Sequence, residues 1–314
     1  MFELHERDLR HGGRRRGAWD LNSEAWPQNT QKAQNRRRKK GKGDRLVALR
    51  YDRNERNTRM SELDDVKREV AAANRVLANL GLATGFTAAL GHASMRLPSE
   101  PNKFFVKGRE YEYDALSVME SDDMVMCDTE GFKVGGRPEL TQCSEVKIHA
   151  CVYKLRPDVQ SVVHVHPRYA ILMSTLTGTI KPLCQEGAQL VRNPLPLYPH
   201  MMTIQSDAEG MAVATLLGKS PAMLLKGHGA VTTGKTLSES VMNMAHLEEQ
   251  ARMNYLAYCA QGKDYNFLPD HMLDEMINRT PLYEQPHFKD VLKGRAPQRD
   301  GTWNYQKKAA TPKG

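Results

Sequence analysis

The stretch Ser161-Val-Val-His-Val-His-Pro167 places two histidines, one residue apart, in an otherwise apolar and β-branched run. Valine-rich runs favour a β-strand. Side chains alternate between the two faces of a strand, so His164 and His166 point the same way. Pro167 lacks an N–H for the ladder and ends the strand. Imidazole is the commonest metal ligand, so the pair can be half of a metal site. The other interpretation is two core histidines that are satisfied by hydrogen bonds.

A second stretch, Leu225-Lys-Gly-His-Gly229, offers a third imidazole, that of His228. It follows a short apolar run, residues 222–225, which is predicted to be a buried strand. The flanking glycines permit positive φ and a close backbone approach, so the loop can turn sharply and present one imidazole. With the first pair, His228 predicts a three-histidine site that leaves one position open, as catalytic zinc sites do.

Glu145 is the candidate for a fourth group. It lies near the start of a predicted helix, residues 144–155, where the macrodipole favours a carboxylate. Two interpretations stay open: an ordinary helix N-terminal carboxylate, or a residue that ligates the ion and moves protons. His149 follows one turn later and is interpreted as structural or as a neighbour of the ligands.

The bulk composition limits the protein class. The chain has 314 residues, of which 40% are hydrophobic, enough for one large domain or two small ones. The sequence shows neither a membrane-spanning apolar run nor a secretory leader. The five cysteines form no C-x-x-C pair, and their odd number argues against a full disulfide framework. We therefore expect a reducing, cytoplasmic setting with no membrane partner.

The charge is confined to one end of the chain. Residues 1–59 carry 17 Lys and Arg against 8 Asp and Glu, whereas the other 255 residues carry 28 against 29. This segment is predicted to be a disordered basic arm. It could bind nucleic acid non-specifically, or be a solvated tail or sequence upstream of the natural start. The near-neutral body shows no nucleic-acid-binding motif.

The rest of the chain divides into a catalytic domain, residues 60–268, and a C-terminal extension, residues 269–314, expected to pack on or near the site. Ser61 is the expected N-cap of the first helix, and Thr236 to Glu239 form a capping box that opens a long helix. Other predicted elements are strands over residues 104–106, 115–118 and 124–127, and helices over residues 168–176 and 207–217.

From about Ser61 to Gly262 the chain resembles the class II aldolase/adducin family. The matching pieces, in the family's order and spacing, are Gly91-His-Ala-Ser-Met-Arg96, the pair Ser144-Glu145, His164-Val-His166 and Leu225-Lys-Gly-His-Gly229. The resemblance implies an α/β fold, a three-layer α/β/α domain around a central, mainly antiparallel sheet. It also implies a homotetramer with active sites at subunit interfaces.

For the site, the resemblance implies that His164, His166 and His228 bind a divalent metal ion. Zinc is the first expectation, with manganese, iron or cobalt as alternatives. It implies that Glu145 is the acid/base residue and also a metal ligand when substrate is absent.

The chain departs from the family's sugar-phosphate enzymes, which carry Gly-Asn-x-Ser where this chain has a G-H-x-S-x-R motif. The motif resembles the branch that includes decarboxylases of hydroxylated aromatic acids. Arg96 is expected to bind a substrate carboxylate, and His92 is expected to donate a proton. Ser94 is also expected to bind substrate. Tyr198 and His200 are candidates for the cavity wall. The carboxylates in Asp128-Thr-Glu-Gly131 are expected to disfavour a phosphate ester.

These observations predict a metal-dependent lyase for a small-molecule substrate. The first interpretation is a decarboxylase of a hydroxylated, aromatic carboxylic acid that works through a metal-stabilised enolate. The alternative is a class II aldolase or epimerase acting on a sugar or a phosphorylated sugar. A non-catalytic adducin-like scaffold is a third reading, although such proteins need not keep the metal histidines, and this chain keeps all three.

Overall fold

A computed structural model describes residues 58–83, 91–110, 115–281, 284–291 and 301–311. The predicted basic arm lies outside these residues except for its last two, 58 and 59, which are helical. The first helix, α1, covers residues 58–79, so Ser61 lies inside it and the expected N-cap is wrong. Gly81 has a φ of 70°, which fits its predicted place just beyond the end of this helix.

The centre of the fold is one sheet of nine strands. The strands are Gly91–Arg96 (β1), Lys103–Arg109 (β2), Met124–Asp128 (β3), Lys133–Gly135 (β4), Thr141–Gln142 (β5), Ser161–Val165 (β6), Leu197–Tyr198 (β7), Ala222–Leu225 (β8) and Gly229–Gly234 (β9). Their hydrogen-bonded order is β4-β3-β2-β1-β6-β9-β8-β7, with β5 paired to β2. All pairs are antiparallel except β7 with β8, which confirms the mainly antiparallel sheet.

Helices cover both faces of the sheet, as the three-layer expectation requires. The helices after α1 are Val146–Leu155 (α2), Arg168–Leu176 (α3), Asp207–Leu217 (α4), Leu237–Gln261 (α5), Asp270–Asn278 (α6), Pro286–Lys289 (α7) and Gly301–Ala309 (α8). One apolar core unites α1, α3, α5 and α8 with one face of the sheet, and a second unites α2 and α4 with the other face. Alternate residues of β6 contribute to the two cores, with Val163 in the first and Val162 in the second.

Local sequence signals place most of these elements correctly. Thr236 caps α5 by accepting the backbone N–H of Glu239 at 3.1 Å. The strand expected at residues 115–118 is wrong, because residues 116–118 form a 3-10 turn. This turn is tied to α1, where the Arg75 guanidinium donates to the carbonyl of Met119. A tertiary contact therefore overrides the apolar, strand-like composition there.

Strand register determines where the site lies. His92 of β1 is directly opposite His164 of β6, and both point toward the face covered by α2 and α4. Two residues further along β1, Ser94 is opposite Val162 on the same face. The histidines thus meet where β1 begins and β6 ends, beside the start of α2.

The C-terminal extension contacts α1 on the opposite face of the sheet. Trp303 of α8 is buried in the core that contains Val66 and Val70. The Lys307 ammonium pairs with the Glu69 carboxylate at 2.7 Å. These contacts of α8 lie away from the histidines, and the packing of the extension on or near the site stays a prediction.

Candidate metal centre

His164 of β6 and His166, which directly follows the end of this strand, converge as the sequence pattern predicts. Their Nε2 atoms are 3.2 Å apart. The Nδ1 of His164 lies 3.0 Å from the carbonyl oxygen of Ala230, which can only accept. His164 therefore carries its proton on Nδ1 and keeps a lone pair on Nε2. A metal-binding histidine is usually oriented in this way.

A sharp turn brings the third imidazole to the same place. Gly227 has a φ of 66°, and His228 follows it between β8 and β9. The His228 ring centroid lies 5.1 Å from that of His164 and 4.8 Å from that of His166. A Cβ on Gly229 would come within 2.5 Å of the Val165 carbonyl oxygen, so only glycine allows the backbone to approach the pair this closely.

Glu145 completes the group. It occupies the N-cap position of α2, one residue before the first helical turn. Its Oε2 is 3.2 Å from His164 Nε2, and its Oε1 is 3.4 Å from His228 Nε2. The backbone N–H of Ile204 donates to Oε1 at 3.0 Å and fixes the carboxylate. Burial raises the pKa of this carboxyl, but the two facing imidazoles outweigh burial and hold the pKa well below its usual range.

The spacing of these atoms suits a divalent cation. Two ligands at about 2.0–2.1 Å from a tetrahedral ion are about 3.3 Å apart. The three distances above, 3.2, 3.2 and 3.4 Å, match that spacing. Burial, followed by the neighbouring imidazoles of His164 and His228, lowers the pKa of His166 to about 3, so it is held neutral, which is the metal-binding form. Three imidazoles and one carboxylate therefore fit zinc or a related divalent ion.

His92 lies beside this group, but the hydrogen bond of its Nδ1 is to His149, which is not one of the four residues. Its ring centroid is 5.3 Å from that of His164. Its Nδ1 is 2.6 Å from Nε2 of His149, which projects from α2. Burial, followed by the neighbouring imidazoles of His149 and His164, lowers the pKa of His92 well below the usual value, which favours the neutral imidazole. The expectation that His92 donates a proton stays a prediction.

Ser94 and Arg96 differ from expectation. The Ser94 hydroxyl is fully buried and lies 2.6 Å from His149 Nδ1 and 2.7 Å from the Tyr153 hydroxyl. Arg96 is 5% exposed, and its guanidinium donates to the carbonyls of Val159, Pro101, Tyr153 and Arg156. These internal bonds do not support the expected role of both residues in binding substrate, which stays a prediction.

Tyr198 and His200 adjoin the loop of His228 without joining the four ligands. Tyr198 ends β7, where its carbonyl accepts the N–H of Lys226 at 2.9 Å. Its buried ring packs against the exposed His200 with 5.1 Å between ring centroids. The described contacts of the two side chains include none with the ligands, so a role in the cavity wall stays a prediction.

The structure corrects the expectation for the turn from Asp128 to Gly131. Asp128 pairs with Lys103, at the opposite end of β2 from the level of His92. Its carboxylate accepts two backbone N–H groups of its own turn, and Glu130 pairs with Lys154. These carboxylates therefore give no argument against a phosphate ester. Sequence reasoning also missed Tyr153, although its spacing of four from His149 marks one helix face.

The comparisons with known proteins agree with this geometry. The family model described as "Class II Aldolase and Adducin N-terminal domain" matches residues 68–255. The chain belongs to this family. A relative from Terrabacter sp. (strain DBF63), "3,4-dihydroxyphthalate decarboxylase", is 31% identical over 216 residues, which are 64% of this chain and 87% of the relative. An "L-fuculose phosphate aldolase" from Methanocaldococcus jannaschii is 26% identical over 141 residues, 45% of this chain and 74% of that protein.

Solved structures of class II aldolases share the fold. An "aldolase II superfamily protein" from Pseudomonas syringae superposes with a TM-score of 0.64 at 19% identity, over 79% of this chain and 93% of that one. The expected fold and the expected class, a carbon–carbon lyase of the class II aldolase family, are therefore confirmed. No described helix has the length and apolarity that a membrane crossing requires.

Proposed function

We propose that this chain is a metal-dependent decarboxylase of a hydroxylated, aromatic carboxylic acid. The observation that carries the proposal is the convergence of Glu145 with three imidazoles at ligand spacing, beside a neutral His92. The match to 3,4-dihydroxyphthalate decarboxylases supports the substrate class, since the alignments extend over 84 to 90% of three such relatives.

His164, His166 and His228 would hold the ion, which when bound would supply positive charge against the negative charge that develops as the carbon–carbon bond breaks. Zinc is our first assignment, because imidazole and carboxylate donors suit it. Glu145, whose carboxylate lies among the three imidazoles, would accept or deliver the proton. The N–H of Ile204 then keeps the carboxylate in place.

His92 has a different part in this proposal. Its Nδ1 is engaged by His149, so only Nε2 can serve a substrate. A neutral imidazole is a hydrogen-bond donor or acceptor rather than a strong acid. We therefore assign proton delivery to Glu145 and substrate orientation to His92.

A homotetramer in the cytoplasm is part of the same proposal. Met201 and Met202 are 71% and 67% exposed, and a Cβ on Gly227 would lie 3.9 Å from Met201. Exposed apolar side chains beside the loop of His228 favour burial against a second copy of the chain. Light scattering that gives the mass of a monomer would contradict this point.

The test offers metal-loaded enzyme two sets of substrates in parallel, hydroxylated aromatic carboxylates and phosphorylated sugars. Release of CO₂ from the first set is the expected result. Glu145→Gln keeps the size of the side chain and is expected to lower the rate by at least about 10²-fold, as loss of a general acid/base does. Cleavage of a sugar phosphate without CO₂ from any acid would replace the proposal with the aldolase, whose relatives share this family.

A further inference from the structure

A continuous chain of hydrogen bonds runs behind the metal centre, from the phenol of Tyr153 to the imidazole of His92. The Tyr153 hydroxyl is 2.7 Å from Ser94 Oγ, and Ser94 Oγ is 2.6 Å from His149 Nδ1. His149 Nε2 is in turn 2.6 Å from His92 Nδ1. All four side chains are at most 4% exposed, so water does not compete along the chain.

The number of protons on these four side chains determines which group donates in each hydrogen bond. Burial, as the largest cause, raises the pKa of the Tyr153 phenol well above its usual value, so the phenol keeps its proton and needs an acceptor. Ser94 Oγ is the acceptor in reach among the described residues. The single proton of Ser94 then goes to His149 Nδ1. His149 must carry its own proton on Nε2 and donate it to His92 Nδ1, which leaves the proton of His92 on Nε2.

The opposite direction makes poorer bonds. It would turn the Ser94 hydroxyl toward the carbonyl of Val162, at 3.5 Å, instead of His149 at 2.6 Å. A donor–acceptor distance of 3.5 Å is well beyond the optimum for O–H···O, which is about 2.7–2.8 Å. The distances therefore favour the direction from Tyr153 to His92.

A second metal ion in this place is less compatible with the distances. His92, Cys143 and His149 offer ligand atoms within 4.8 Å of one another. However, the 2.6 Å between the two imidazoles is a hydrogen-bond length, shorter than the about 3.3 Å between two ligands of one tetrahedral ion. Burial also raises the pKa of the Cys143 thiol well above its usual value, so it is not the thiolate that binds metal.

We propose that Tyr153, Ser94 and His149 are positioning residues that hold His92 in the tautomer protonated at Nε2, so that the site presents a fixed N–H donor beside the metal ligands. The donor suits an acceptor oxygen of the substrate, such as a carboxylate oxygen. This last point rests on the proposed function, whereas the tautomer itself does not. The G-H-x-S-x-R motif is thereby explained, because Arg96 holds Tyr153 with its guanidinium carbon 4.5 Å from the ring centroid.

Solid-state ¹⁵N NMR of metal-loaded enzyme, labelled at the histidine rings, reads the tautomer directly and needs no substrate. The His92 signals are assigned by their loss in His92→Asn. The wild type is expected to show one His92 tautomer, protonated at Nε2. Ser94→Ala removes the donor to His149 and is expected to give a mixture of both tautomers. Its kcat is expected to fall about tenfold or more with little change in KM or bound metal.

Ser161→Ala is the matched control. Ser161 is an equally buried serine on the neighbouring strand. Its hydroxyl hydrogen-bonds to the Ser240 hydroxyl and to the Ser94 carbonyl, so it takes no part in the hydrogen bonds from Tyr153 to His92. It is expected to leave the His92 tautomer unchanged. Tyr153→Phe serves as a second variant should Ser94→Ala fail to fold, and it too is expected to give a mixture. A wild-type His92 protonated at Nδ1, or one unchanged tautomer in every folded variant, overturns the proposal.

Discussion

Replacing Arg96 by alanine is expected to destabilise the fold more than it impairs the chemistry. The Arg96 side chain donates to Val159 O at 3.0 Å and to Tyr153 O at 2.9 Å, both in buried surroundings. A hydrogen bond that involves a charged group contributes about 1.5–3 kcal/mol. Loss of these two bonds therefore predicts a decrease of about 3–6 kcal/mol in the free energy of unfolding.

Thermal unfolding followed by circular dichroism measures this effect, at fixed protein and metal concentration. A loss of that size corresponds to roughly 6–24 °C in Tm. Arg96→Lys is expected to recover little, because one ammonium group cannot reproduce the planar fork that serves several carbonyls. Arg137→Ala is the control, since Arg137 pairs with Asp123 and Glu139 at the surface, and little change is expected.

The rate constant separates the two roles of Arg96. Well below the lowered Tm, Arg96→Ala is expected to retain turnover within about tenfold of the wild type. Loss of a donor to the developing charge usually costs about 10²–10³ in rate. A variant that melts within about 2 °C of the wild type and yet loses that much activity would refute the structural role and restore the role in binding substrate.

Three other predictions follow from particular residues. His166→Ala is expected to reduce bound metal far below one ion per chain, measured by mass spectrometry, with an unchanged far-UV spectrum; full retention of metal would contradict the ligand assignment. Burial is the main cause that lowers the pKa of His149 to about 3, so as pH falls the unfolded chain takes up this proton at a higher pH than the folded chain does. The free energy of unfolding is therefore expected to decrease as pH falls from about 6.5 toward 3. His149→Gln is expected to reduce this dependence on pH, measured by denaturant titration at each pH. Deleting residues 1–56, which spares α1, is expected to keep turnover and to abolish retention on a polyanion column; collapse of turnover would make the arm part of the enzyme.

Sequence alone predicted the ligand group better than its surroundings. The period of two in the run around His164, and the glycines around His228, are local signals that follow directly from strand and turn geometry. Arg96, in contrast, lies on the expected strand face, but its partners are backbone carbonyls from three other segments. No local pattern shows that a buried arginine is saturated by carbonyls rather than free for a substrate.

The same limit explains the other differences. Asp128 and Glu130 form a plausible acidic loop in the sequence, but only strand register shows that they lie at the far end of the sheet. In the sequence, His149 and Tyr153 are an ordinary i, i+4 pair of a helix. Only the packing of α2 on β1 shows that Ser94 contacts both of them. Long-range register and packing, rather than propensity, decide which polar groups meet.

Anomalous X-ray diffraction at the absorption edge of the bound metal tests the central claim most directly, because it locates the ion and identifies the element. The account predicts about one divalent ion per chain, with the Nε2 atoms of His164, His166 and His228 each within about 2.0–2.3 Å of it. In the absence of substrate, a carboxylate oxygen of Glu145 completes the coordination. An ion held instead by His92 and His149, or a folded and active protein that binds no metal, would contradict the account.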